Sequence, residues 1–178
     1  MEITWDQMFF GLFPGFFERK DIRALPSDDV FEEQILRLGE FTPEEARSCP
    51  ENITFGLYEG DLSRLHTAIR EVEEDWVQFF GPQDPVYCAF DGEKVVSFCI
   101  LDEMGTYQGL RVAGPGCVGT IPAYRKKGIG LKMVQNATAI LKDRGYDICY
   151  IHYTQVGHWY ARLGYRTVLR WNRDGILR

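Results

Sequence analysis

Val118-Gly119-Thr120-Ile121-Pro122-Ala123-Tyr124-Arg125-Lys126-Lys127-Gly128-Ile129-Gly130-Leu131-Lys132-Met133-Val134 is the stretch on which the fold turns. It begins as an apolar strand that ends at Ile121. A turn from Pro122 to Lys127 follows, and Gly128-Ile129-Gly130 opens a helix. Such a crossing is a ready anion site. The first N–H groups of a helix have no internal partner and point out of its end. The aligned peptide dipoles add partial positive charge there. Gly128 and Gly130 lack a Cβ, so a phosphate can approach the backbone, and Arg125, Lys126 and Lys127 stand beside it.

Arg125-Lys126-Lys127-Gly128-Ile129-Gly130 resembles the Arg/Gln-x-x-Gly-x-Gly/Ala signature of the GNAT acetyltransferases, matching at every fixed position. The similarity extends back to about Asn52 and forward to the end of the chain. It implies acetyl-CoA as co-substrate. Backbone groups of Gly119, Thr120 and Ile121 would hold the pantetheine arm and acetyl carbonyl. The pyrophosphate would rest on N–H groups from Lys126, Lys127, Gly128, Ile129, Gly130 and Leu131, with Arg125 adjoining. His158-Trp159-Tyr160-Ala161-Arg162-Leu163-Gly164-Tyr165 resembles a second family stretch, a Tyr on a short helix before a Gly-aromatic pair. Carried over, Tyr160 is the general acid for the departing thiolate; a phenol stays protonated at neutral pH. Tyr153 stands where the family often has an Asn.

The composition agrees with one domain, or one domain with an extension. The chain has 178 residues, 45% of them hydrophobic, and a net charge of −6, which disfavours wholesale nucleic-acid binding. Five scattered cysteines show no metal-ligand spacing. Cys88, Cys99 and Cys149 read as reduced core residues of a cytoplasmic protein, and no metal is expected. No run is long enough to span a membrane.

Residues 1–50 read as a helical N-terminal extension and 51–178 as the acetyltransferase domain. Thr4-Trp5-Asp6-Gln7 fits a capping box before Met8, Phe9, Leu12 and Phe13. Ser27–Asp29 offer caps for a second helix carrying Val30, Phe31, Ile35 and Leu38. Thr42-Pro43-Glu44-Glu45 fits another capping box. The aromatic load of Trp5, Phe9, Phe10, Phe13, Phe16 and Phe17 suits packing on the main domain, an oligomer interface or a lid over the acceptor site.

Beyond it, 52–58 reads as a strand and Asp61 caps a helix with apolar positions from Leu62 to Phe79. Val86–Phe90 and Val95–Leu101 form a hairpin, with 102–109 as a loop. The next strand, 110–121, is interrupted at Gly114-Pro115-Gly116, so regular strand begins near Cys117 or a bulge lies there. Gly114 to Gly119 also fits G-x-G-x-x-G, but no helix follows. A helix from Gly128, a strand over 146–153, a short helix over 157–163, a strand over 165–171 and a final stub complete the chain. The expected fold is α/β (α+β): by resemblance, a mixed sheet splayed into a V and flanked by helices. The short last strand puts the far edge of the sheet, and a homodimer through it, in question.

The general base stays open between Asp102 or Glu103, His152, and bulk base through ordered water. A strand places His152 and Tyr153 on opposite faces. An acetyl-cysteine route through Cys117 is disfavoured, because a buried neutral thiol is inert. These readings imply transfer from acetyl-CoA to the primary amine of a small molecule by direct attack in a ternary complex. Acylation of a protein N-terminus or lysine is the alternative within the class; a non-catalytic acyl-CoA sensor is the alternative outside it.

Overall fold

The computed structural model describes residues 2–43 and 48–178. Glu44 and Glu45 of the 42–45 capping box lie outside the described residues. Among the described residues eight strands form one mixed sheet: β1 (Phe31–Arg37), β2 (Ile53–Leu57), β3 (Val86–Asp91), β4 (Lys94–Tyr107), β5 (Leu110–Thr120), β6 (Ile148–Thr154), β7 (Arg166–Asn172) and β8 (Gly175–Leu177). Their order across the sheet is β2-β3-β4-β5-β6-β1-β7-β8. Every neighbouring pair is antiparallel except β5 and β6.

The sequence reading fails at β1. Phe31–Arg37 is a strand between β6 and β7, not a helix. The first fifty residues are therefore not a purely helical extension, because β1 lies inside the same sheet as the rest. The apolar residues of 30–38 mimic a helical stripe because both faces of β1 are covered, which removes the alternation of a one-sided strand. Phe31 and Ile35 pack beneath the N-terminal helix, while Leu36 and Leu38 join the core on the opposite face. The three-residue β8 closes the far edge of the sheet on β7.

Two layers of helix cover the sheet. On one face lie α1 (Trp5–Leu12), a 3₁₀ turn at Phe16–Glu18, α2 (Lys20–Arg23) and α3 (Leu62–Arg70). On the other lie α4 (Ile129–Asp143) and α5 (Gly157–Ala161). Thr4 occupies the N-cap of α1, but its side chain makes no capping bond. Asp61 does cap α3, accepting from Ser63 N–H at 2.9 Å. The helix expected to reach Phe79 stops at Arg70; a 3₁₀ segment covers Glu74–Phe79 and leaves Phe79 exposed. The N-terminal aromatics pack on the sheet: Phe9 and Phe16 are buried with Phe31 and Trp171. No helix is long and apolar enough to cross a membrane among the described residues.

β5 and β6 are paired only at Val112↔Ile148 and Ala113↔Cys149. Above these pairs the strands part, giving the V. Gly114 marks its apex: a Cβ there would lie 1.9 Å from the carbonyl oxygen of Tyr150. Pro115 follows at no cost in hydrogen bonds. It faces Leu101, whose N–H goes to Pro85 on the far side. The donor Pro115 lacks would therefore have pointed into the gap. The expected bulge is present, with Cys117 and Val118 opposing Cys99 alone and Cys117 at φ +48°.

Candidate active site

The β5 arm of the gap presents backbone by strict alternation. Ile121 N–H donates to Val96 O at 3.0 Å, and Gly119 pairs with Phe98, so both turn toward β4. Thr120 and Val118 turn toward the gap. Of the three residues expected to hold a pantetheine arm, only Thr120 faces the gap. Val118, passed over in the sequence, takes its place beside it; the bulge sets that parity. Thr120 O accepts from Arg125 Nε at 2.9 Å, which ties the basic turn to the strand. Thr120 Oγ1 and Ser97 Oγ are 2.9 Å apart.

The turn has the form expected of an anion cradle. Lys126 (φ +63°) and Gly128 (φ +80°) are both left-handed, the backbone form that gathers successive N–H groups. The first helical hydrogen bond of α4 runs from Lys132 N–H to Gly128 O, so among the described residues the N–H groups of Ile129, Gly130 and Leu131 have no helical partner. Gly130 lies against the strand, since a Cβ there would meet Thr120 Oγ1 at 2.7 Å and the Trp159 ring at 3.4 Å. Lys127 Nζ lies over the Tyr124 ring, whose hydroxyl donates to Asp91 at 2.6 Å. Arg125, Lys126 and Lys127 are solvent-exposed.

Tyr160 comes from α5 on the α4 face and is only 6% exposed. The thiols of Cys99, Cys117 and Cys149 lie within its electrostatic reach, which puts the phenol beside the β5 bulge. Burial, then those thiols, push its pKa well above that of an ordinary phenol. It is therefore held as a proton donor at neutral pH. The Cys117 thiol is pushed up to about 11, first by burial and then by Asp102. That leaves little thiolate at neutral pH, in keeping with the reading against a cysteine route.

The other face of the gap carries the acidic and imidazole groups. β4 runs on to Tyr107, so 102–107 is strand and not loop. Alternation then separates the two carboxylates. Leu101 packs in the α4-side core, so Asp102 faces the opposite side, toward the mouth of the gap. Glu103 faces away and lies 4.0 Å from Arg111, which stacks on Tyr146. Glu103 is thus removed from the candidate base set. Asp102 stays in it: loss of surrounding water, then Asp84, raise its pKa, and His152 opposes the rise.

His152 stands on β6 two residues above the apex. Its ring stacks on Phe13 at 3.8 Å between centroids, with 10° between planes, and its Nδ1 lies 2.8 Å from Glu33 Oε2. The expectation that His152 and Tyr153 face opposite ways fails. Both oppose Glu33 in a bulge with Tyr153 at φ +60°, and both rings join the N-terminal aromatic cluster, 5.8 Å apart. A hollow of about 570 Å³ lined by Phe17, Glu18, Arg23, Arg173 and Asp174 touches none of these residues.

Residues 82–167 match the family model described as an acetyltransferase (GNAT) domain. No curated protein matches the chain. Three solved structures illustrate the likeness of fold. One is the glucosamine N-acetyltransferase region of a fungal multi-domain GH3 beta-N-acetylglucosaminidase, 21% identical with a TM-score of 0.65 over 81% of this chain and 20% of that one. A GCN5-related N-acetyltransferase from Sphaerobacter thermophilus is 19% identical, TM-score 0.61, over 80% and 50%. Another from Kribbella flavida is 18% identical, TM-score 0.56, over 86% and 60%. The chain thus spans 20 to 60% of the length of these neighbours. Residues 82–167, which carry the splayed strands, the cradle at the start of α4 and Tyr160, thus match the GNAT acetyltransferase domain model, and the chain has the GNAT fold.

Proposed function

We propose that this protein transfers an acetyl group from acetyl-CoA to the primary amine of a small molecule, by direct attack within a ternary complex. The observation that carries the reading is the gap itself. It has an anion cradle at one end, unpaired strand backbone along β5, and a proton donor and a set of proton acceptors on opposite faces of the sheet.

The residues divide the work by face. The N–H groups of Ile129, Gly130 and Leu131 receive the pyrophosphate, with Lys126 and Arg125 adding charge. Val118 and Thr120 pair with the pantetheine amides as a neighbouring strand would. The thioester then lies in the gap, with Tyr160 on the α4 side to protonate the leaving thiolate. The acceptor enters from the other face, where the Asp102 carboxylate draws a cationic amine. The reading also takes the protein to act in the cytoplasm, without metal, nucleic acid or membrane.

Calorimetry with acetyl-CoA, coupled to thiol release from an amine panel, tests the proposal. Wild type should bind acetyl-CoA at micromolar affinity. Lys126→Glu should weaken that roughly tenfold or more, by placing a negative charge at the phosphate site. Tyr160→Phe should bind normally and turn over about 10²-fold more slowly. Absence of acetyl-CoA binding by the folded wild type overturns the reading.

A further inference from the structure

The gap explains Asp102 and Tyr160 but leaves a buried carboxylate unused. Glu33 lies on β1, fully buried at 0% exposure, where residues 152 and 153 of β6 bulge against it. Three groups lie within hydrogen-bond distance of its two oxygens, and the buried Tyr150 hydroxyl faces the same carboxylate. His152 Nδ1 lies 2.8 Å from Oε2. The N–H of Tyr153 donates to Oε1 at 3.0 Å, and Trp171 Nε1 donates to the same oxygen at 2.7 Å. An amide and an indole can only donate, so Oε1 is an acceptor twice over. An ionised carboxylate can only accept, so the Oε2 contact calls for Nδ1–H as its donor. A neutral imidazole that gives up Nδ1–H carries its lone pair on Nε2.

The ring is held as well as polarised. Phe13 stacks on one face, Phe9 and Phe16 close around it, and the side chain keeps 21% of its surface open. Among the described residues no hydrogen bond to Nε2 is present. The charged groups that act on the ring are Glu33 and Asp102, with the phenols of Tyr150 and Tyr153 nearby. α1 and the 16–18 turn meet the ring through Phe9 and Phe16, and Phe13 between them stacks on it.

We propose that Glu33 is the positioning residue that locks His152 as its Nδ1–H tautomer, making His152 Nε2 the base that deprotonates the acceptor ammonium. The inference rests on the acyl-transfer reading above. Nε2 takes one proton from the ammonium. The freed lone pair attacks the thioester carbonyl, the C–N bond forms, and the C–S bond breaks with its electron pair leaving on sulfur. Tyr160 O–H protonates that thiolate. The second proton of the new amide nitrogen returns to the phenolate, and the imidazolium releases its proton to water. One amide, one free thiol and one proton result. Asp102 gathers the cation; His152 handles the proton.

Glu33→Gln gives a sharp test, because the amide has one acceptor and one donor end. Placed at Oε1, its NH₂ would face two obligate donors; placed at Oε2, it faces His152 Nδ1, which can accept, and the nearby Tyr150 hydroxyl can rotate to suit. The favoured arrangement therefore donates to Nδ1 and forces His152 into the Nε2–H tautomer. Long-range ¹⁵N–¹H spectra of the full-length protein should show Nδ1–H in wild type and Nε2–H in Glu33→Gln, assigned with His152→Gln. With acetyl-CoA and whichever panel amine is turned over, Glu33→Gln should lose about 10²-fold or more in kcat while keeping the KM for acetyl-CoA. Glu33→Asp should restore the wild-type tautomer and part of the rate. An Nε2–H wild type overturns the proposal whatever the protein acylates, and so does a tautomer flip that leaves kcat unchanged. Calorimetric failure to bind acetyl-CoA would instead remove the acyl-transfer reading, and with it the role of the dyad.

Discussion

Asp102 carries a cost at neutral pH that Tyr160 and Cys117 do not. A phenol and a thiol whose pKa values rise on burial remain neutral, so their environments match their charge state. Asp102 is a carboxylate whose pKa is also raised, first by partial loss of water and then by Asp84, against a smaller opposing pull from His152. Its neutral form favours folding, so the contribution is complete below the unfolded pKa and is lost as pH rises through the folded one. At neutral pH the ionised group therefore weakens the fold. Asp102→Asn should raise Tm at pH 7, and the gain should vanish near about pH 3, where both side chains are neutral. The same substitution should weaken binding of a cationic acceptor, the exchange of stability for function common at such sites. Thermal melts at the two pH values check this; an unchanged or lower Tm at pH 7 would refute it.

At the scale of elements, the V depends on one glycine. A Cβ at Gly114 would sit 1.9 Å from Tyr150 O and 2.9 Å from Tyr150 C, both backbone atoms that cannot rotate away. Gly116 two residues on is a control, since its Cβ would meet only Asp102 Cβ at 3.8 Å. Gly114→Ala should force β5 and β6 apart at the apex, costing about 2 kcal/mol or more and several degrees in Tm. Gly116→Ala should melt near wild type, and equal melting of the two variants would show that the apex is not close-packed. This scale also shows what could be read from sequence. The crossing from strand to α4 was legible because motif, periodicity and glycines agree locally. Glu103 was retained as a base because reading 102–109 as a loop discards the parity that separates it from Asp102. Ile121 was misplaced for a related reason: the bulge at Cys117 resets which residues face the gap. β1 was not legible at all. It is buried on both faces, its Glu32-Glu33-Gln34 centre consists of good helix formers, and the donors that let Glu33 be buried are more than a hundred residues away.

Across the whole molecule, the N-terminal segment does two separable jobs. β1 joins the two halves of the sheet: Ile35 pairs with Tyr150 on one side and Arg166 on the other. Without it, β6 and β7 would each show an unpaired edge, and His152, Tyr153 and Trp171 would lose the acceptor they share. α1, the 16–18 turn and α2 cover the same region without entering the sheet, burying Phe9, Phe16 and Ile22 over Phe31 and Trp171. Two truncations separate these roles. Removing residues 1–40 should abolish cooperative folding and give insoluble protein. Removing 1–29 should leave a folded sheet with lower Tm, exposed aromatic surface that binds hydrophobic dyes, and a His152 ring freed from Phe13. Because the cradle of α4 and the β5 arm are built without residues 1–29, the shorter truncation should keep acetyl-CoA affinity within about threefold of wild type, a difference of under ~1 kcal/mol. Its amine turnover should fall, since His152 loses the Phe13 ring that stacks on it. A 1–40 truncation that melts cooperatively near the full-length Tm would show that the sheet closes without β1, and the segment would then be an ornament on a fold complete without it.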